Sequence, residues 1–279
     1  MSANSFVARP KATPSLPEVV VNFDRLDTAV ATALERARAG EGFCLYTLNL
    51  DHLLQLQSDE RFRKAYAAAE FISADGWPIV WLLRRQGFLV ERASGADLVE
   101  PLLARAAQYG IGVYLLGPER ESQTRAVEVL SERYPNLAVV GAETPILPIH
   151  AADETILALA ERINGAGARI CVVSLGSPKQ ELLAAELREH CPAVGFLCVG
   201  AAIDFISNHC SRAPAFWQQN GLEWLWRVGC EPRRLGMRYM RGGGFFARIL
   251  VAALRGAPAR EMVRGAPNLP LDSSHRLPA

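Results

Sequence analysis

Along the chain, short continuous apolar runs alternate with longer stretches in which apolar residues recur every three or four positions. The continuous runs are 43–49 (FCLYTLN), 70–74 (EFISA), 112–117 (GVYLLG), 137–143 (LAVVGAE), 168–176 (ARICVVSLG) and 194–200 (VGFLCVG). The periodic stretches are 24–40, 96–110, 121–135, 153–167 and 178–191. Residues three and four apart share one face of a helix, so the second group predicts amphipathic helices. Strands that are apolar throughout, rather than at alternate positions, belong in a sheet with both faces covered. The expected fold is therefore α/β, a mostly parallel sheet under helices on both sides.

The pattern changes after about residue 205. From 206 to 257 it predicts short helices without strands, an appendage rich in arginine and tryptophan packed on a catalytic domain at 17–205. Pro214 and Pro232 suit first helical turns. Gly221 and Gly242-Gly243-Gly244 read as helix stops. The segments 1–16 and 258–279, with several prolines and few large apolar side chains, are expected to be a flexible arm and a flexible tail. The segment 245–255 (FFARILVAALR) is compatible with lying on a bilayer or with covering the core.

Composition narrows the function classes. Half of the 279 residues are apolar and 21% are charged, as in a soluble globular chain. A net charge of +1 gives no global attraction to nucleic acid. The six cysteines include no C-x-x-C and several lie in apolar runs, which suits buried reduced thiols in the cytoplasm. No signal-like apolar region is visible near the start, and no uncharged stretch approaches the roughly 20 residues that span a bilayer. Self-association is compatible with the sequence.

In an open parallel sheet, ligands bind beyond the carboxyl ends of the strands. Thr47, Asn49, Asp51 and His52 follow the first run, Asp75 the second, Gly176 to Glu181 the fifth, and Gly200 to Asp204 the sixth. Each has a plainer reading. Asn49 and Asp51 are ordinary helix caps, Asp75 can end a strand, Asp204 can cap a turn, and His52 reads as a packing or surface histidine. No D-x-D, H-E-x-x-H, G-x-S-x-G or Walker loop occurs, and no cysteine pair has metal-ligand spacing. Arg212, Arg227, Arg233, Arg234, Arg238 and Arg241 cluster among Trp217, Trp224, Trp226 and Tyr239. Guanidinium groups bind phosphate through paired N–H donors, so such a cluster can neutralise a diphosphate where no metal is chelated. The same cluster also suits a solvated basic face or anionic lipid.

Taken in order, these motifs resemble one family: T-x-N (Thr47, Asn49), A-D-G (Asp75), R-x-x-G-x-D-L (Arg92, Gly95, Asp97, Leu98), G-x-P-x-Q-E (Gly176, Gln180, Glu181), G-x-x-x-D-F (Gly200, Asp204), R-A-P (Arg212), G-L-E-W-x-x-R (Arg227) and E-P-R-R (Arg233, Arg234). The order is similar to that of the WecG/TagA/CpsF glycosyltransferases over roughly residues 20 to 241. The resemblance implies a Rossmann-like core with a C-terminal appendage. It implies an inverting, metal-independent hexosyltransferase without a cofactor, peripheral to the inner face of the bacterial plasma membrane. Its donor would be a UDP-sugar and its acceptor a polyprenyl-diphosphate-linked sugar, in cell-surface polysaccharide synthesis.

By position, Asp75 resembles the general base, with Thr47 and Asn49 beside it as catalytic contacts. Gln180, Asp204, Gly176, Arg92 and Asp97 would bind substrate, though Arg92 and Asp97 equally suit a structural ion pair. Arg227, Arg233, Arg234 and Arg238 would hold the diphosphate, and no metal site is implied. Two other readings remain. A nucleotide-dependent oxidoreductase or methyltransferase would need a Gly-rich first turn, which TLNLDH does not supply. A non-catalytic membrane adaptor would use only the basic appendage.

Overall fold

The computed structural model describes residues 21–85, 88–145, 153–214, 216–217, 223–230 and 242–251, with the side chains of Trp224, Arg227 and Cys230 excepted. The arm at 1–16, the tail at 258–279, and Gly221, Pro232, Arg233, Arg234 and Arg238 lie outside the described residues.

All six apolar runs form strands: β1 (Phe43–Leu48), β2 (Phe71–Ala74), β3 (Val113–Leu116), β4 (Val139–Glu143), β5 (Ile170–Val173) and β6 (Gly195–Cys198). They make one parallel sheet in the order β2-β1-β6-β5-β3-β4. The five periodic stretches form α1 (Leu26–Ala39), α5 (Gly95–Tyr109), α6 (Arg120–Arg133), α7 (Asp153–Gly165) and α8 (Lys179–His190). Four more helices lie where the periodicity is too short to single them out: α2 (Leu50–Ser58), α3 (Glu60–Ala68), α4 (Trp77–Arg85) and α9 (Ala202–Ile206). Asp59 both ends α2 and opens α3, its carboxylate accepting from the backbone N–H groups of Arg61 and Phe62.

Alternation along the strands divides the core. Cys44, Tyr46 and Leu48 of β1 face a layer built from α2, α3, α4, α7 and α8. Phe43 and Leu45 face a second layer built from α1, α5, α6 and α9. The connection leaving β1 therefore runs to one face, while the one leaving its neighbour β6 runs to the other. A crevice opens between such diverging connections at the carboxyl ends of the strands.

Beyond residue 205 the described elements are helical, as expected: Glu223–Cys230 and the segment 242–251. Gly242, Gly243 and Gly244, expected to stop a helix, are themselves helical and open the segment 242–251; the residues before them, 231–241, lie outside the described residues. Packing outweighs propensity there. Each helical glycine costs about 1 kcal/mol relative to alanine, but Phe245 and Ile249 are buried against the first layer, and a fully buried side chain of this size contributes about 1.5–3 kcal/mol. Gly242 lies against Leu50, and Phe246 meets Trp77 and Trp81 edge-on at 5.5 and 5.7 Å. The described part of 245–255 thus covers the core, across the first turns of α2 and α4.

Candidate active site

The tips of β1 and β2 lie side by side. Thr47 pairs with Ser73 and Leu48 with Ala74, and the Asp75 N–H donates to the Leu48 carbonyl at 2.8 Å. Asp75 is half-buried and is followed by Gly76 at φ 84°, a left-handed turn that glycine adopts without strain. The chain then enters α4 directly. Thr47 is buried one residue inside the strand. Asn49 caps α2, its Oδ1 accepting from the N–H groups of Asp51 and His52 at 3.0 and 3.1 Å, so the cap reading holds.

Beneath these tips runs a buried polar network. The Tyr66 hydroxyl lies 2.6 Å from His52 Nδ1, and His52 Nε2 lies 3.3 Å from Asn49 Nδ2 and 3.7 Å from Glu181 Oε1. Gln180 Nε2 donates to the same Glu181 oxygen at 2.7 Å, while Gln180 Oε1 accepts from the Gly200 N–H at 3.1 Å. Tyr46 donates to the Glu181 carbonyl at 3.0 Å. Burial raises the pKa of both tyrosines, so their hydroxyls keep their protons. Gln180 was expected to line the pocket; its side chain is buried, and it ties the loop after β5 to the loop after β6. Gly176, at φ 73° in the first of these loops, accepts from the Gln180 N–H. Ser177 exchanges hydrogen bonds with Gln55 of α2, which donates to Asp51 at 2.8 Å.

Asp204 lies at the start of α9 and accepts from Ser122 Oγ at 2.7 Å, joining the loop after β6 to α6. It is therefore held on the α6 side of the crevice, whereas Asp75 and Asn49 sit on the α2 and α4 side.

Arg92 and Asp97 form the ion pair that was one of their two readings. Arg92 is 3.0 Å from Asp97 and 2.9 Å from Glu223, and Arg212 also pairs with Asp97. Burial works against the Asp97 carboxylate, but Arg212, Arg92 and the Ser94 hydroxyl outweigh it and lower its pKa. Burial likewise works against the Arg92 cation, and Asp97 and Glu223, with a further contribution from Asp75, outweigh it and raise its pKa. Arg92 therefore stands within the field of Asp75. The reason is local: the Ala93 N–H donates to the Ala74 carbonyl at 2.8 Å, so this loop runs along the tip of β2.

Two appendage helices are consequently anchored at the strand tips. Glu223–Cys230, which carries Arg227, is tied through Glu223 to Arg92; the segment 242–251 lies on Leu50, Trp77 and Trp81. Among the described residues no group of three His, Cys, Asp or Glu side chains is arranged to hold a metal ion. His52 reads from the sequence as a packing or surface histidine and Arg212 as one of the arginine cluster, and nothing there singles out Tyr66 or Glu223 as partners at the tips. Glu181 is an ordinary first-turn acid of α8 by sequence, and only its complete burial marks it out.

An all-parallel sheet with a switch-point crevice, and with acid and amide groups at adjacent strand tips, defines a Rossmann-like α/β protein. The family model for the glycosyl transferase WecG/TagA/CpsF family matches residues 18–259. The chain belongs to this family, and it is a glycosyltransferase of the type that serves cell-surface polysaccharide synthesis. The oxidoreductase, methyltransferase and adaptor readings have no comparable support.

Proposed function

We propose that this glycosyltransferase is inverting and metal-independent, and moves a hexose or N-acetylhexosamine from a UDP-sugar to a polyprenyl-diphosphate-linked sugar. N-acetylmannosamine, its uronic acid and glucose are the candidate sugars. The observation that carries the reading is Asp75. It is a half-buried carboxylate at the tip of β2, beside the Asn49 turn, with Arg92 in its field.

In the proposed reaction the acceptor hydroxyl attacks the anomeric carbon from the side opposite the departing UDP. The new glycosidic C–O bond forms as the anomeric C–O bond to the diphosphate breaks. Asp75 takes the hydroxyl proton, and the UDP oxygen leaves with the electron pair. Asn49 and Thr47 contact the sugars beside it. Arg227, Arg233, Arg234 and Arg238 neutralise the leaving diphosphate. The anchoring of Glu223 on Arg92 and of Gly242 on Leu50 supports this, because both flanks of the arginine-bearing segment start from the tips where Asp75 stands. Asp204, Gly176 and Gln180 shape the donor side.

The lipid-linked acceptor implies work at the inner face of the plasma membrane. No described helix is long and apolar enough to cross a membrane. The exposed Trp77, Leu250 and Val251, the last two close in sequence to Arg248, are suited to contact a bilayer surface.

The test is turnover of a panel of UDP-sugars with a short-chain polyprenyl-diphosphate acceptor, in Mg²⁺ and in EDTA. UDP release and inverted product in EDTA are expected. A strict requirement for divalent metal, or no transfer from any UDP-sugar, overturns the proposal.

A further inference from the structure

The buried network carries information about proton positions. Asn49 Oδ1 accepts from two backbone N–H groups, which fixes the amide so that Nδ2 is the atom facing His52. Nδ2 can only donate. For this contact to be a hydrogen bond, His52 Nε2, 3.3 Å away, is the acceptor and carries no proton. The imidazole proton then sits on Nδ1 and is donated to the Tyr66 hydroxyl at 2.6 Å. The helix cap thus dictates the tautomer of a histidine that is only 2% exposed. In return the ring holds the amide, leaving one Nδ2 proton of Asn49 uncommitted among the described residues.

We propose that His52 and Tyr66 are positioning residues: His52, neutral with its proton on Nδ1, locks the Asn49 amide and leaves its second Nδ2 proton for substrate at the tips that carry Asp75. This rests on the assignment of the active site to those tips. The ring touches no substrate; it acts through Asn49. Glu181 Oε1 lies 3.7 Å from Nε2 and accepts from Gln180 at 2.7 Å, so an imidazolium at His52 would place its charge against this carboxylate, and that is the alternative the test below must exclude. The chain Tyr66–His52–Asn49 therefore orders the β1 tip, and Glu181–Gln180–Gly200 orders the tips of β5 and β6.

Two measurements test it. Two-bond proton–nitrogen correlation spectra of the wild type with isotope-labelled histidine read the tautomer directly, and His52→Gln identifies the His52 signals. A protonated Nδ1 with a bare Nε2 is expected; an Nε2-protonated ring or an imidazolium overturns the proposal. This readout needs no activity, so it stands or falls separately from the reaction assigned above.

The second measurement compares kcat and KM. In His52→Leu, the lost amide orientation is expected to lower kcat about tenfold to a hundredfold, the scale of a misplaced contact. In His52→Gln, a side-chain oxygen near the Nε2 position again accepts from Asn49, and most of kcat returns even where the melting temperature stays low. Equal kcat losses in both variants, tracking stability alone, would mean that the ring only fills space. Should His52→Leu not fold, Tyr66→Phe supplies the comparison: kcat is expected to fall with donor KM retained, and an unchanged kcat counts against the chain.

Discussion

Replacing Gly95 by alanine separates close backbone packing from helix propensity. Gly95 opens α5, and a Cβ placed there would stand 2.5 Å from the Val199 carbonyl oxygen and 2.6 Å from its Cα. Real Cβ contacts are essentially never below 3.0 Å, so the backbones must part by at least 0.5 Å. No flexible side chain can give way, because the obstacle is main chain just after β6. Overpacking of this kind costs about 1–3 kcal/mol, whereas alanine recovers at most about 1 kcal/mol of helix propensity. Gly95 is the first residue of α5, where little of that propensity is at stake, so the clash wins; the net loss is about 1–3 kcal/mol, a drop in Tm of about 2–12 °C for a chain of this size.

Thermal unfolding followed by circular dichroism reads this out, with Gly165→Ala as the control. Gly165 ends α7 with nothing within 4 Å of an added Cβ, so its Tm should hold or rise. A Gly95→Ala protein as stable as the wild type would mean that α5 and the Val199 backbone can part without cost. The same substitution should lower activity beyond its effect on stability, since Ser94 and Asp97 beside it hold the Arg92 network.

Asp97 should contribute stability that depends on pH. Its folded pKa is lowered, so the contribution is complete above the unfolded value, near 3.9 for an ordinary aspartate, and fades as pH falls through the folded one. Denaturant midpoints of the wild type and Asp97→Asn should stay apart at neutral pH and converge only in that acid range; convergence near neutrality would contradict the ion-pair geometry. The thiols should be inert in the native state. Burial pushes Cys44 up to about 12 and Cys191 to about 11, and raises Cys171 and Cys198 strongly. Alkylation at pH 8 followed by peptide mapping should leave these four unmodified until the protein is unfolded, and rapid native labelling of any of them would overturn the packing.

The strands and long helices were legible because burial on both faces leaves no polar position in a strand, as in β5 and β6, and because helical periodicity survives over three turns or more. It fails for α2 and α3, which are short and share Asp59 as end and start. The glycines at 242–244 misled because local propensity says nothing about Phe245 and Ile249, whose partners are distant in sequence. At the site, Asn49 and Asp75 could be placed at strand tips from order alone. The partners that shape their environment could not: His52, Tyr66 and Glu181 are joined only by tertiary packing, and Glu223 reaches Arg92 across 131 residues of chain.

Single-turnover transfer with Asp75→Asn asks whether a carboxylate at the tip of β2 deprotonates the acceptor. The substitution keeps the shape and the backbone bond to Leu48 while removing the base. A rate about 10²–10⁴-fold below wild type is expected, the range general-base catalysis supplies, with UDP affinity and Tm retained. Wild-type transfer by Asp75→Asn would contradict it.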